Sequence, residues 1–272
     1  MNITSAKRMF LAPLGATILL LGTSKFVNAA SFLNLDNGDI GTIDTSTGVF
    51  TPFIIDAPTF LDVAIDSSNN LFGITSVGDL YDIDLSTNEN TPIDNLELFI
   101  NGLGFDEENI LYGTGLSGFY SIDTLTGTAL QVSSISGFNS SGDLVYDSDL
   151  EQFFATSSSG STDDLWSIEK DGTATLIGDI GFNNVFGLFF ENGTLFGYTE
   201  NRQQISIDMT TGIGTFDKSI SGTNGQIFGA TSSISSTSSV PEPSITLGLL
   251  TVGLLSARFT IKQKQKSSSK KS

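Results

Sequence analysis

Apolar residues in this chain come in short runs separated by Gly, Asn, Asp, Ser and Thr, and the runs recur at a nearly fixed distance. One recurring unit is Ile followed by an acid: Ile43-Asp44, Ile83-Asp84, Ile122-Asp123, Ile168-Glu169 and Ile207-Asp208, at intervals of 40, 39, 46 and 39 residues. Each copy runs into a polar turn, closing on Thr47-Gly48, Thr87-Asn88, Thr126-Gly127, Asp171-Gly172 and Thr211-Gly212. Gly or Asn supplies the positive φ of such a turn, and the preceding acid can accept hydrogen bonds from its amides. About eleven to fifteen residues upstream lies a second apolar run: Phe32-Leu33, Leu71-Phe72, Leu111-Tyr112, Phe153-Phe154 and Leu195-Phe196. A third ends in an acid, at Ala64-Ile65-Asp66, Gly104-Phe105-Asp106, Val145-Tyr146-Asp147 and Phe189-Phe190-Glu191. A fourth, more variable run follows each turn, as in Ala129 to Val132 and Ala174 to Ile177. By content and length these are strands, and no long stretch carries apolar residues at helical spacing.

Four short strands per forty residues is the spacing of a β-propeller blade. If a blade begins with the acid-ending strand, four complete blades run from about Phe60 to Lys218. Three strands are left over at the N-terminal side, Phe32 to Phe53, and one at the C-terminal side, Gly225 to Thr231. Together they make a fifth blade, so the ring closes by joining the two ends of the domain and leaves no open sheet edge there. The expected fold is therefore all-β, a five-bladed propeller over residues 30–231. Its strand order is similar to that of known propellers such as the NHL-type. A β-sandwich or an open solenoid of hairpins is the competing architecture.

The two chain ends break the pattern. At the start, Lys7 and Arg8 precede an apolar stretch from Met9 to Gly22 and the small-residue site Val27-Asn28-Ala29, which reads as a signal peptide over residues 1–29. Signal peptidase is expected to cut between Ala29 and Ala30. Residues 232–239 form a Ser/Thr-rich linker. Val240-Pro241-Glu242-Pro243-Ser244 follows, then an apolar segment from Ile245 to Ala257 and a tail carrying Arg258, Lys262, Lys264, Lys266, Lys270 and Lys271. Thirteen apolar residues are short for a bilayer span, which takes roughly 20, and extension through a snorkelling Arg258 to Ile261 gives a marginal helix over 245–261. The basic cluster would stay cytoplasmic.

This order of motif, helix and basic tail over residues 240–272 resembles the PEP-CTERM sorting signal of Gram-negative bacteria. The resemblance implies a transient inner-membrane anchor cut by an exosortase near Pro241-Glu242-Pro243. It implies a final place at the cell surface, outer envelope or extracellular matrix, with exopolysaccharide or envelope proteins as partners. The other reading of the tail is a permanent anchor behind a Pro-rich linker. The resemblance says nothing about the activity of the domain.

Charge and composition narrow that activity. Nine of the twelve basic residues lie in the terminal segments, so Ala30 to Ser239 keeps 3 basic against 29 acidic residues, a formal charge of −26. Nucleic acid is excluded as a partner on that balance. Cysteine and histidine are absent, which removes disulfides, thiol nucleophiles, the usual zinc ligands and every imidazole-based triad. Any catalysis would fall to carboxylates, hydroxyls, Tyr or the few Lys and Arg. Asp66, Asp106, Asp147 and Glu191 hold equivalent places in successive blades, where a ring would bring them to one face as a calcium site or acid/base set. As turn acids, in Asp66-Ser67-Ser68-Asn69 for example, they would only stabilise their own turns. Asp62 is a further inner-strand acid, Trp166 a core residue or a sugar platform, and the Ser140-Ser141 and Ser157 to Ser161 loops have no positioned base. The sequence thus points to a non-catalytic binding or structural propeller, the alternative being a carbohydrate-active enzyme with paired carboxylates in the funnel.

Overall fold

The computed structural model describes residues 31–233, which form twenty β-strands in five four-stranded antiparallel sheets. Blade II holds β4 (Phe60–Ile65), β5 (Leu71–Thr75), β6 (Asp79–Ile83) and β7 (Asn90–Asn95). Blade III holds β8 (Gly102–Phe105), β9 (Leu111–Gly115), β10 (Gly118–Ile122) and β11 (Ala129–Ser134). Blade IV has β12 (Ser140–Asp147), β13 (Gln152–Ser158), β14 (Asp163–Glu169) and β15 (Ala174–Asp179), and blade V β16 (Val185–Glu191), β17 (Thr194–Thr199), β18 (Gln203–Ile207) and β19 (Gly214–Ser219). Blade I joins β1 (Ser31–Leu35), β2 (Ile40–Asp44) and β3 (Val49–Ile54) to the last strand, β20 (Ile227–Ser232). β20 pairs with β1 from Ser31↔Ser232 to Leu35↔Ile227, the closure expected from the strand inventory. The innermost strands β4, β8, β12, β16 and β20 pack each against the next around one axis, so the fold is a five-bladed propeller and neither a sandwich nor a solenoid.

The second apolar run of each repeat shows why the ring forms. Successive residues of a strand point to opposite faces. Leu71 therefore joins the core between blades I and II, and Phe72 the core between II and III. Leu111 and Tyr112, Phe153 and Phe154, and Leu195 and Phe196 divide in the same way between the cores on their two sides. Five hydrophobic clusters result, one at each blade–blade boundary. A sheet buried on both faces reads as a continuous apolar run, and this is the run seen in the sequence.

Turns and edges follow local chemistry. Asp44, Asp84, Asp123 and Asp208 each accept the backbone N–H groups two and three residues on, and Gly48, Asn88, Gly127 and Gly212 take positive φ, between 62° and 79°. The outermost strand of every blade carries a register shift against its neighbour, and β3 and β7 also carry Pro52 and Pro92. Bulges and prolines are devices that keep an exposed edge from recruiting another strand. The cleavage site Ala29-Ala30, most of the linker, the motif Val240, Pro241, Glu242, Pro243 and Ser244, and the segment 245–261 lie outside the described residues. Among the described residues no helix is long and apolar enough to cross a membrane.

Candidate functional site

The innermost strands converge on the axis at one equivalent position per blade, four residues before the strand-ending acid: Asp62, Gly102, Asp143 and Gly187, with Gly229 of β20 completing the ring. Two carboxyl groups and three glycines thus plug the channel. Glycine is required by close approach, since a Cβ on Gly229 would stand 2.2 Å from Asp62 Oδ1. The next residue of each strand, Val63, Leu103, Leu144, Leu188 and Ala230, turns a backbone N–H toward the axis, where no further strand exists to accept it.

The two aspartates accept all five. Asp62 Oδ1 takes the N–H of Val63 at 2.8 Å and Oδ2 that of Leu103 at 2.6 Å. Asp143 Oδ1 takes the N–H of Leu144 at 2.6 Å, while Oδ2 takes those of Leu188 at 2.6 Å and Ala230 at 3.1 Å. Every blade is therefore tied to the axial pair, and Asp143 alone ties three of them. Both side chains are completely buried. Burial pushes both carboxyls well above the usual carboxylate range, each feels the other directly, and the amide bonds pull only partly back. The neighbouring Asp143 carboxyl acts on Asp62 in the same direction as burial, because like charges in a dry site oppose joint ionisation.

Above this plug the channel opens into a hollow of about 190 Å³, lined by Leu61, Phe99, Asn101, Ser141, Gly142, Phe186 and Phe228. Phe186 and Phe228 meet edge to face at 6.3 Å on its wall.

The four strand-ending acids occupy the opposite face, and each is engaged where it stands. Asp66 Oδ1 accepts the N–H groups of Ser68 and Asn70, both at 2.8 Å, and Asp147 Oδ1 those of Asp149 and Leu150. Asp106 Oδ1 accepts from Glu108 and Ile110, and its buried Oδ2 lies 3.7 Å from the Lys170 ammonium. Glu191 accepts a short hydrogen bond from the Thr45 hydroxyl of blade I. Among the described residues no group of three or more acidic side chains gathers closely enough to hold a metal ion.

The basic residues between the termini are also engaged. Lys170 pairs with Glu107 at 2.8 Å and lies over the Tyr146 ring at 5.8 Å, and the Glu107 carboxylate holds its ammonium above the usual lysine range. Lys218 bonds Asp217 at 2.8 Å and the Thr45 carbonyl at 2.5 Å, and Arg202 bonds the Asn224 carbonyl at 2.7 Å. Trp166 is buried in the core between blades III and IV, edge on to Phe138 at 5.7 Å. Ser157 exchanges hydrogen bonds with the backbone of Asn139, and Ser140 with the Thr114 hydroxyl.

Sequence reasoning singled out Asp62 as an inner acid and missed its partner Asp143. The signal was present: stacking the repeats on their terminal acids puts Asp62, Gly102, Asp143 and Gly187 in one column, small or acidic throughout.

No family model and no curated protein matches the sequence. Similarity lies in solved folds. One similar chain is from the crystal structure of a nidogen/laminin complex, with a TM-score of 0.57 at 12% identity, covering 76% of this chain and 99% of that one. A structural-genomics protein from Bacteroides thetaiotaomicron is similar with a TM-score of 0.52 at 16% identity, over 70% of this chain and 55% of that one. TolB from Acinetobacter baumannii gives 0.46 at 17% identity, over 71% and 53%. This chain spans about half the length of the last two. At such identities the likeness is one of fold, a β-propeller.

Proposed function

We propose that this chain is an exported envelope or extracellular-matrix protein whose propeller is a non-catalytic binding or structural module, released from a transient inner-membrane anchor by an exosortase. The observation that carries the non-catalytic reading is the axial carboxyl pair. A glycosidase needs two carboxyl groups about 5 to 9.5 Å apart on either side of a substrate cleft, with water reaching at least one. Asp62 and Asp143 are buried at the axis and have their oxygens filled by five backbone amides, which leaves neither open to a substrate or to water. The export reading rests on the two terminal segments, and Pro241 and Pro243 suit an extended cut site.

Intact-mass measurement of the protein recovered from the cell surface or medium tests the sorting half. The expected mature species starts at Ala30 and lacks Lys270 and Lys271; a mass that includes the terminal lysines overturns it. Glu242→Ala is expected to hold the full-length form in the inner membrane. For the catalytic half, incubation with a panel of polysaccharides is expected to release no reducing ends, and release that is lost in Asp62→Asn would reinstate the glycosidase.

A further inference from the structure

The mouth of the channel carries exposed apolar residues that the fold does not need. Innermost strands run from the mouth toward the opposite face, so the tips of the β5–β6 and β9–β10 hairpins and the β7–β8 connection all crowd this rim. Val77 on the first tip is 69% exposed, Leu116 on the second 61%, and Phe99 on the connection 45%. They are neighbours. A Cβ on Gly78 would meet the Leu98 carbonyl at 2.6 Å, and one on Gly115 the Phe99 carbonyl at 1.8 Å. The Leu116 carbonyl accepts the Ser140 N–H at 2.7 Å, beside Ser141 and Gly142 of the hollow, and Phe99 itself lines that hollow.

Leu116 is also conformationally out of place. Gly115 and Gly118 pair across a two-residue hairpin turn, whose first position has positive φ and favours glycine. Leucine occupies it at φ 51°. Backbone strain and an exposed leucine are two separate costs at one position, and such outliers collect where a ligand is held.

The chemistry of the surroundings selects the occupant. At about 190 Å³ the hollow is below the range of roughly 300–1,000 Å³ typical of small-molecule sites, and suits a single side chain. Its polar groups are out of reach: Asn101 Nδ2 is bonded to the Ser140 carbonyl, and Asn101 Oδ1 and Ser141 Oγ have almost no accessible surface. A sugar would find few partners for its hydroxyls. Glu97 and Asp79 flank the apolar residues, and Arg202, beside the β17–β18 turn, is held by the Asn224 carbonyl. A second copy of the domain would bring the same charge of −26.

Resting on the reading of the propeller as a binding module, we propose that Val77, Phe99, Leu116 and the hollow beside them form a docking surface for a basic polypeptide segment that inserts one apolar or aromatic side chain at the channel mouth. The rim acids steer the segment and the hollow anchors it.

Calorimetric titration of the full-length chain with the amidated peptide Lys-Lys-Phe-Lys-Lys tests this, beside Lys-Lys-Ser-Lys-Lys, Glu-Glu-Phe-Glu-Glu and a neutral maltooligosaccharide. Saturable binding of the Phe peptide is expected, with Phe99→Ser and Leu116→Gly weakening it about tenfold. Leu116→Gly relieves the turn, so its thermal midpoint should be unchanged or raised, which separates lost recognition from lost folding. Equal binding of the Ser peptide, or no effect of either variant, overturns the proposal as mere charge attraction. Maltooligosaccharide binding abolished by Phe99→Ser, with the Phe peptide silent, overturns the peptide assignment and leaves the binding-module reading standing. Concentration-dependent self-association through this rim, or silence of the Phe peptide with every probe, overturns it as well.

Discussion

At the scale of single residues the controlling fact is that two carboxyl groups serve five backbone amides. Removing Asp143 leaves the N–H groups of Leu144, Leu188 and Ala230 buried without acceptors, whereas removing Asp62 strands those of Val63 and Leu103. Each unsatisfied buried donor costs about 1–3 kcal/mol. Asp143→Ala is therefore expected to destabilise by about 3 kcal/mol or more, and Asp62→Ala by less, in denaturant titrations; the reverse order would contradict the axial assignment. The pair also sets a pH dependence. Its carboxyls sit above their unfolded value of about 3.9, so the native state keeps protons that the unfolded chain releases, and stability falls as pH rises from about 4 through the pair's native range. Turn acids act with opposite sign: bonds from Ser86 and Thr87 lower Asp84 to about 2, so its contribution is lost only as pH falls below about 4. The unfolding midpoint should peak in mildly acidic solution and decline toward neutrality. Asp62→Asn is expected to flatten that decline.

At the scale of strands, the apolar dipeptides of β5, β9, β13 and β17 each serve two cores, and this makes a sharp test of independence. Phe153 and Phe154 are adjacent in β13 but face different clusters, whereas Phe119 of β10 packs edge to face on Phe153 at 5.7 Å in the core between blades III and IV. Substituting leucine for each should cost about 1 kcal/mol. In double-mutant cycles the Phe153–Phe154 pair is expected to add within about 0.5 kcal/mol, and the Phe119–Phe153 pair to couple by about 0.5–1.5 kcal/mol. The same local logic explains what could be read in advance. Strands, Asx turns and the forty-residue period depend on near neighbours, so Ile43-Asp44 and its copies announced the blades, and the leftover strands announced the closure. The axial plug did not show because Asp143 sits in the polar run Ser140 to Asp143, and a buried charge contradicts every pattern used to find a core. Only superposition of the repeats reveals its column. Asp66, Asp106, Asp147 and Glu191 hold equivalent places as expected, yet each is drawn into its own turn or toward an adjacent blade, because backbone amides and Lys170 lie nearer than the other carboxylates.

For the whole molecule, the ring is closed by a single strand contributed from the far end of the sequence. β20 supplies Ile227 and Ala230 to the core between blades V and I, Gly229 to the axial ring, the Ala230 amide to Asp143, and the partner that covers the edge of β1. A chain ending at Gly225 would lose all of these together and expose an unpaired strand, so it is expected to aggregate and to show no cooperative unfolding transition. The covalent break itself is a different matter. Ser31 and Ser232 are register partners on adjacent strands, a separation of about 5 Å that a hairpin turn of two to five residues bridges. A permuted chain that begins at Phe60, joins Ser232 to Ser31 through such a turn and ends after Ile54 keeps every strand pair and both axial aspartates. It should retain the thermal midpoint of the native order within a few degrees and bind the same peptide at the channel mouth. It should also fold faster, since the contact between β1 and β20, now the most distant in sequence, becomes a local hairpin. A permutant that fails to fold while the truncated chain folds would show that stability resides in individual blades and not in the closed ring.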